Sequence, residues 1–234
     1  MADVNIAEAG DVVLVVGPEA KRIRVSSIFL SVVSPIFDNM LNGNGGGMVI
    51  YRGPGLPREI VMVQDKPEAA ELFCYVVHHI GPRVPRKILT HELYDFSAFV
   101  QKYQAHMCVE HVGYFWLQAA LADTPACLTA SLWTLFGAAH YLNDAENFNK
   151  ISCRLIAEAP PVGAVAVDVP VNIPRAVVDD INEISPRLAG ISNGSLRMIQ
   201  GLCLDCVQAG APRQGGSCRV PHEEGHWMAV WGHE

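Results

Sequence analysis

DVVLVVGPEAKRIRVSSIFLSVVSPIFDNML, residues Asp11 to Leu41, is the stretch whose reading decides the fold. Its apolar run from Val12 to Val16 ends at Gly17-Pro18, the pattern of a short buried strand closed by a turn. Ile23 and Val25 then alternate with Arg22 and Arg24, which predicts a half-buried hairpin partner with its arginines in solvent. Ser26 and Ser27 are candidate caps for a short helix carrying Ile28, Phe29, Val32 and Val33, because a serine oxygen satisfies the free amides of a first turn. Ser34-Pro35 restarts the chain as N-cap and first helical residue, with Ile36, Phe37, Met40 and Leu41 at helical spacing.

Downstream, NGNGGG and the residues to Pro57 read as a surface loop; the lysine-serine ending of a phosphate-cradling loop is missing and no helix follows. Glu59 to Val63 reads as a third strand. Asp65 and Pro67 mark a helix start, and Ala69, Leu72, Phe73, Val76, Val77 and Ile80 supply its apolar face. His78 and His79 fall at its C-terminal end, where the partial negative charge of a helix favours an imidazole. Further helices are predicted through Leu89, Leu93, Phe96, Val100 and Tyr103, and through Val109, Val112, Trp116, Leu117 and Ala120. Asp123-Thr124-Pro125 reads as the start of another, with Leu128, Leu132, Leu135, Phe136, Ala139 and Leu142 inward. One more follows Asn143-Asp144 with Phe148, Ile151 and Leu155 inward, so that two amphipathic segments on a short loop make a helical hairpin. VGAVAVDVPVNIP reads as an irregular connector, and short helices are expected after Pro174 and from Ser195. A few short strands with many helices are consistent with the α+β class that the family resemblance given below implies.

Composition narrows the function. The net charge is -7 with 17 Lys and Arg spread along 234 residues, and a nucleic-acid surface needs those residues clustered. There is no twenty-residue apolar span for a membrane, and the opening MADVNIAEAGD lacks the layout of a signal peptide, so an intracellular protein of cytoplasm or nucleus is expected. Of the seven cysteines, Cys74, Cys108, Cys127 and Cys153 sit singly in apolar helical surroundings and read as reduced buried thiols. His106 and His111 flank a helix connection, but without a neighbouring nucleophile or carboxylate pair they do not form a catalytic set.

The C-terminal part gathers soft ligands. Cys203 and Cys206 form a CxxC whose two thiolates can reach one ion, and Cys218 with His222 supplies a third and fourth ligand, a Cys3His set of the structural zinc kind. His226 competes with His222 for the fourth place. His222 to His226, HEEGH, also has the spacing of a metalloprotease box, which makes a zinc-dependent hydrolase the alternative. The segment follows Pro221, contains Gly225 and has no room for a supporting helix, and four protein ligands would leave zinc no open position for chemistry.

The succession of hairpin, short helix and S-P restart resembles the BTB/POZ domain, and the spellings VSSIFLSVVSPIFDNML and HELYDFSAFVQKYQ are most similar to its fungal members. The resemblance implies a BTB/POZ fold over residues 8–120, a short sheet flanked by a helical cluster, with a helical extension over 121–200 and a Cys/His tail over 201–234. It implies a protein-interaction module without an active site, associating with itself or another protein and serving as adaptor for a cullin-type ubiquitin ligase or a transcription-related complex. Asp11 matches the family's acidic residue at the head of the first strand. Ser26 stands where many members carry histidine, leaving Arg24 or Lys21 as the candidate basic partner, and Ile28 and Phe29 are candidates for a dimer surface. HHIGPRVPRKIL departs from the tyrosine-containing strand common in the family, whereas CLDC and CR-x-x-H are endings similar to those of fungal members.

Overall fold

A computed structural model of the chain describes residues 4–43, 49–51, 53–125, 129–158, 169–179, 181, 202 and 204–208. The chain divides into two compact units, Met1–Trp116 and Leu117–Glu234. The class is α+β, a five-stranded mixed sheet with helices.

In the first unit the expected hairpin forms from β2 (Val12–Val16) and β3 (Lys21–Val25), paired antiparallel. Gly17 opens its turn at φ 73, and a side chain there would meet Pro67 at 2.8 Å, so glycine is required for both reasons. After β3 the chain runs through α1 (Ser27–Val33) and α2 (Pro35–Asn42), then returns as β5 (Arg58–Met62). β5 lies parallel to β2, with Leu14 opposite Ile60 and Val16 opposite Met62; parallel neighbours need such a crossover, and the two helices supply it. The sheet order is β1 (Val4–Asn5), β3, β2, β5 and β4 (Val49–Ile50). Its edges, β1 and β4, are two-residue strands that periodicity does not reveal. β4 occupies part of the stretch expected to be loop.

Register assigns the faces. Val12, Leu14, Val16, Ile23, Val25, Ile60 and Met62 share one face and are buried. The other carries Val13, Val15, Arg22, Arg24 and Glu59. Here the structure corrects the solvated arginines expected of β3. Arg22 reaches diagonally over β2 to Glu59 at 2.6 Å, and Arg24 Nε donates to the Gly10 carbonyl at 2.8 Å, so both are half-buried.

An aromatic cluster joins α2, α3 (Pro67–Val77) and α4 (Thr90–Lys102), and α3 packs beside β3. Phe37 stacks on Tyr103 at 4.4 Å and lies 6.3 Å from Phe73, which meets Phe99 at 5.2 Å. Ser34 is the joint between α1 and α2. Its amide bonds to Leu30 O and closes α1, while its hydroxyl accepts from Phe37 N and donates to Tyr103 O, the N-cap expected from Ser34-Pro35. Asp65, expected as a cap, is instead a buried acceptor for Lys102 Nζ at 2.7 Å and Tyr103 OH at 2.9 Å; Lys66 holds the N-cap position of α3. Burial and the Asp65 charge raise the Tyr103 phenol well above its ordinary pKa. Between α3 and α4 lies one 3-10 turn, Gly81–Arg83, without a strand. α5 (His106–Asp123) buries Val109 and Trp116, whose indole donates to Pro85 O at 2.8 Å.

The second unit holds the expected hairpin, α6 (Thr129–Leu142) and α7 (Ala145–Glu158). Phe136 stacks on Phe148 at 4.2 Å and meets Trp133 edge-on at 5.9 Å. Asp144 caps α7 by accepting from Asn147 N at 2.9 Å; burial raises its carboxyl pKa. Asp123, expected to start a helix, ends α5 instead, and Arg154 binds the terminal carbonyls of Leu121 and Thr124. Residues 175–179 form a helical turn after Pro174, and Leu204–Gln208 form a last short helix. Leu202 is fastened to α7, its amide donating to Ser152 Oγ at 2.7 Å. The expected helix from Ser195 falls mostly outside the described residues. Among the described residues no helix is long and apolar enough to cross a membrane.

Candidate interaction surface

α1 has the composition of a core helix and the placement of a surface one. Of SIFLSVV only Leu30 is buried; Ile28 is 72% exposed, Val32 80% and Phe29 42%. Ile28 and Val32 lie one turn apart, so their side chains share a face. Displaying them forgoes the burial that stabilises such side chains by roughly 1.5–3 kcal/mol each.

A helix of seven residues that buries one side chain needs anchoring at its ends, and the anchors come from elsewhere in the chain. Ser26 stands at the N-cap but its hydroxyl makes no capping bond, contrary to the expected local cap. Asp11, at the head of β2, takes over: Oδ1 accepts from Ser27 N at 2.8 Å and Oδ2 from Ser27 Oγ at 2.7 Å. The basic partner of Asp11 is neither Arg24 nor Lys21. Arg24 is committed to Gly10 O and Lys21 to Glu71, whereas Arg58 Nη2 sits 3.0 Å from Asp11 Oδ2 and its Nη1 donates to Leu41 O. Partial burial pushes the Asp11 carboxyl up, but the bonds from Ser27 and Arg58 outweigh it and hold the pKa below the ordinary value.

The second anchor is His78, at the C-cap of α3. Its Nδ1 lies 2.9 Å from Cys74 O, and its Nε2 accepts from Ser26 N at 3.1 Å. The ring meets that of Phe29 at 4.9 Å. Burial lowers the His78 pKa further than the Cys74 carbonyl raises it, and the neighbouring His79 lowers it again. The imidazole expected at this helix end is present, but burial outweighs any favourable effect of the helix end and lowers the pKa of His78. His79 is exposed at φ 55, just beyond the helix.

Asp11, Ile28 and Phe29 thus converge on α1, while Arg24 braces the turn before β2. Two residues of the surface, Arg58 and His78, were missed. Arg58 is recognisable only from the parallel register that sets it opposite Val12; for His78 the signal was a histidine at a helix end, whose tertiary partner Ser26 the sequence does not reveal.

The remaining candidates are distributed differently. His106 Nε2 pairs with Gln101 Oε1 at 2.6 Å, and His111 is exposed on α5. Cys74 is buried and its thiol pKa strongly raised by that burial, while Cys108 is half-buried, pushed up to about 11, and donates to Ala105 O. Cys153 is half-buried rather than buried, and Cys127 lies outside the described residues. Of the expected metal set, the backbone of Cys206 belongs to the helix Leu204–Gln208; its side chain and Cys203, Cys218 and His222 lie outside the described residues, as does HEEGH. No group of three His, Cys, Asp or Glu able to hold a metal occurs among the described residues. No protein-family model matches the chain. No curated protein matches it either.

Proposed function

We propose that the chain is a protein-interaction module of the BTB/POZ type, which pairs with a second copy of itself through α1 and serves within the cell as an adaptor for a cullin-type ubiquitin ligase or a transcription-related complex. The observation that carries the reading is the displayed apolar face of Ile28, Phe29 and Val32 on a helix fixed at its start by Asp11 and His78. A rigidly mounted apolar face presented to solvent is the arrangement of a docking surface. The order hairpin, two helices, parallel strand supports the family resemblance. Two features set the chain apart from many members: Ser26 in place of histidine, and a 3-10 turn where a tyrosine-containing strand is common.

Sedimentation of the full chain tests the proposal. The wild type is expected to reach the mass of a dimer at about 10 µM, as an interface of roughly -8 kcal/mol requires, and Ile28→Glu combined with Val32→Glu to stay monomeric with an unchanged melting temperature. A wild type that remains monomeric well above that concentration would remove self-association from the reading.

A structural zinc held by Cys203, Cys206, Cys218 and His222 belongs to the same proposal, on the strength of ligand type and spacing. The purified protein is then expected to carry one equivalent of slowly exchanging zinc, and Cys203→Ala to lose it; equal zinc in both proteins would retire the ligand set.

A further inference from the structure

His78 occupies a position whose chemistry leaves one protonation state. The Cys74 carbonyl can only accept, so Nδ1, 2.9 Å away, carries the proton. The Ser26 amide can only donate, so Nε2, 3.1 Å away, must present its lone pair. A second proton on the ring has nowhere to go except Nε2, where it would face the Ser26 N–H.

We propose that His78 is a pH-sensitive latch on the start of α1: neutral, it accepts the Ser26 amide and carries the Phe29 ring; protonated, it releases both. The groups around it do not offset the added charge. From α1, SIFLSVV brings no ionisable side chain. From α3 come the Cys74 thiol and His79, and a second imidazole disfavours a cation. From β3 and the head of β2, Lys21 is paired with Glu71, Arg24 with Gly10 O, and Asp11 with Ser27 and Arg58. His78 is buried, and its hydrogen bonds run to Cys74 O and Ser26 N rather than to a carboxylate.

The sign follows. A histidine with a lowered native pKa binds fewer protons folded than unfolded, so its contribution is complete above the ordinary value of 6.5 and is lost as the pH falls below it. Because Phe29 is part of the displayed face, the latch sets how that face is presented. Its effect on association rests on the self-association reading, whereas release of the Ser26 amide does not.

Nitrogen-resolved NMR of the full chain is the test, run from about pH 7.5, above the ordinary histidine titration, downward until the His78 ring itself titrates. At the upper end His78 is expected as the Nδ1-protonated tautomer. On acidification the Ser26 amide should shift and lose exchange protection with the same midpoint as the ring, and dimerisation should weaken about fivefold to tenfold, the size of one net hydrogen bond. His78→Gln, whose side-chain oxygen can accept but not titrate, is expected to be flat across the range; His79→Gln should keep the wild-type response. A Ser26 amide that ignores the His78 titration, or a His78→Gln protein with unchanged pH dependence, overturns the latch. Should His78→Gln fail to fold, the two wild-type midpoints decide by themselves. A chain monomeric at every pH ends the self-association reading, while a shared midpoint of Ser26 and His78 still supports the latch.

Discussion

α1 and α6 are written in nearly the same alphabet and do opposite things. α6 buries Leu132, Trp133, Leu135, Phe136, Ala138, Ala139 and Leu142, while α1, equally apolar, buries Leu30 alone. α6 is apolar around most of its circumference, as befits a helix inside a core, and its aromatic rings interlock with Phe148. α1 is short, held at its start by tertiary bonds from Asp11 and His78 and at its end by Ser34. Hydrophobicity stabilises one helix by burial; the other is placed by hydrogen bonds and leaves its apolar surface in solvent.

That contrast is open to direct attack. Phe136→Ala should be the most damaging single change, destabilising the second unit by about 3–5 kcal/mol as for other fully buried aromatics. A loss below about 1 kcal/mol in chemical denaturation would mean that α6 is not the core helix its burial describes. Asp65→Ala strips a buried acceptor from Tyr103 and Lys102 and is expected to cost about 2–3 kcal/mol, with a calorimetric shift confined to the first unit. Ser34→Ala removes the cap of α2 and the bond to Tyr103 O and should cost about 1–2 kcal/mol. Smallest in stability is Ile28→Glu, expected within about 0.5 kcal/mol of wild type because the side chain is in solvent, although it is expected to be among the most damaging to the proposed self-association. A melting temperature that falls as far as for Phe136→Ala would erase the distinction between the helices.

How much was legible differs between backbone and site. The β2-β3 hairpin, the Ser34-Pro35 restart, Leu93, Phe96, Val100 and Tyr103 of α4, and the described inward residues of α6 and α7 follow local rules of alternation, spacing and capping, and they stand as expected, whereas Leu89, expected inward, is exposed at the N-cap of α4. The two-residue edge strands escaped because pairing, not pattern, creates them. Asp65 and Asp123 misled for a related reason: an acidic residue before a proline is an ordinary helix start, but the exposed Lys102 and the buried Tyr103 claimed the first and the continuing α5 the second. The same holds at the surface, where Asp11 was singled out by position but its partner Arg58 depends on a parallel register across a long loop.

By itself the sequence determined which segments are strand and helix in the main elements, the α+β class, and the presence of Ile28, Phe29 and Val32 on one short helix, because these depend on neighbours a few residues apart. Whether that helix is buried or displayed, which carboxylate and imidazole fasten it, and the lowering of the His78 pKa were decided only when distant residues met. Burial, hydrogen-bond partnership and desolvation are properties of the packed chain, and a linear pattern carries them only where the partners are also close in sequence.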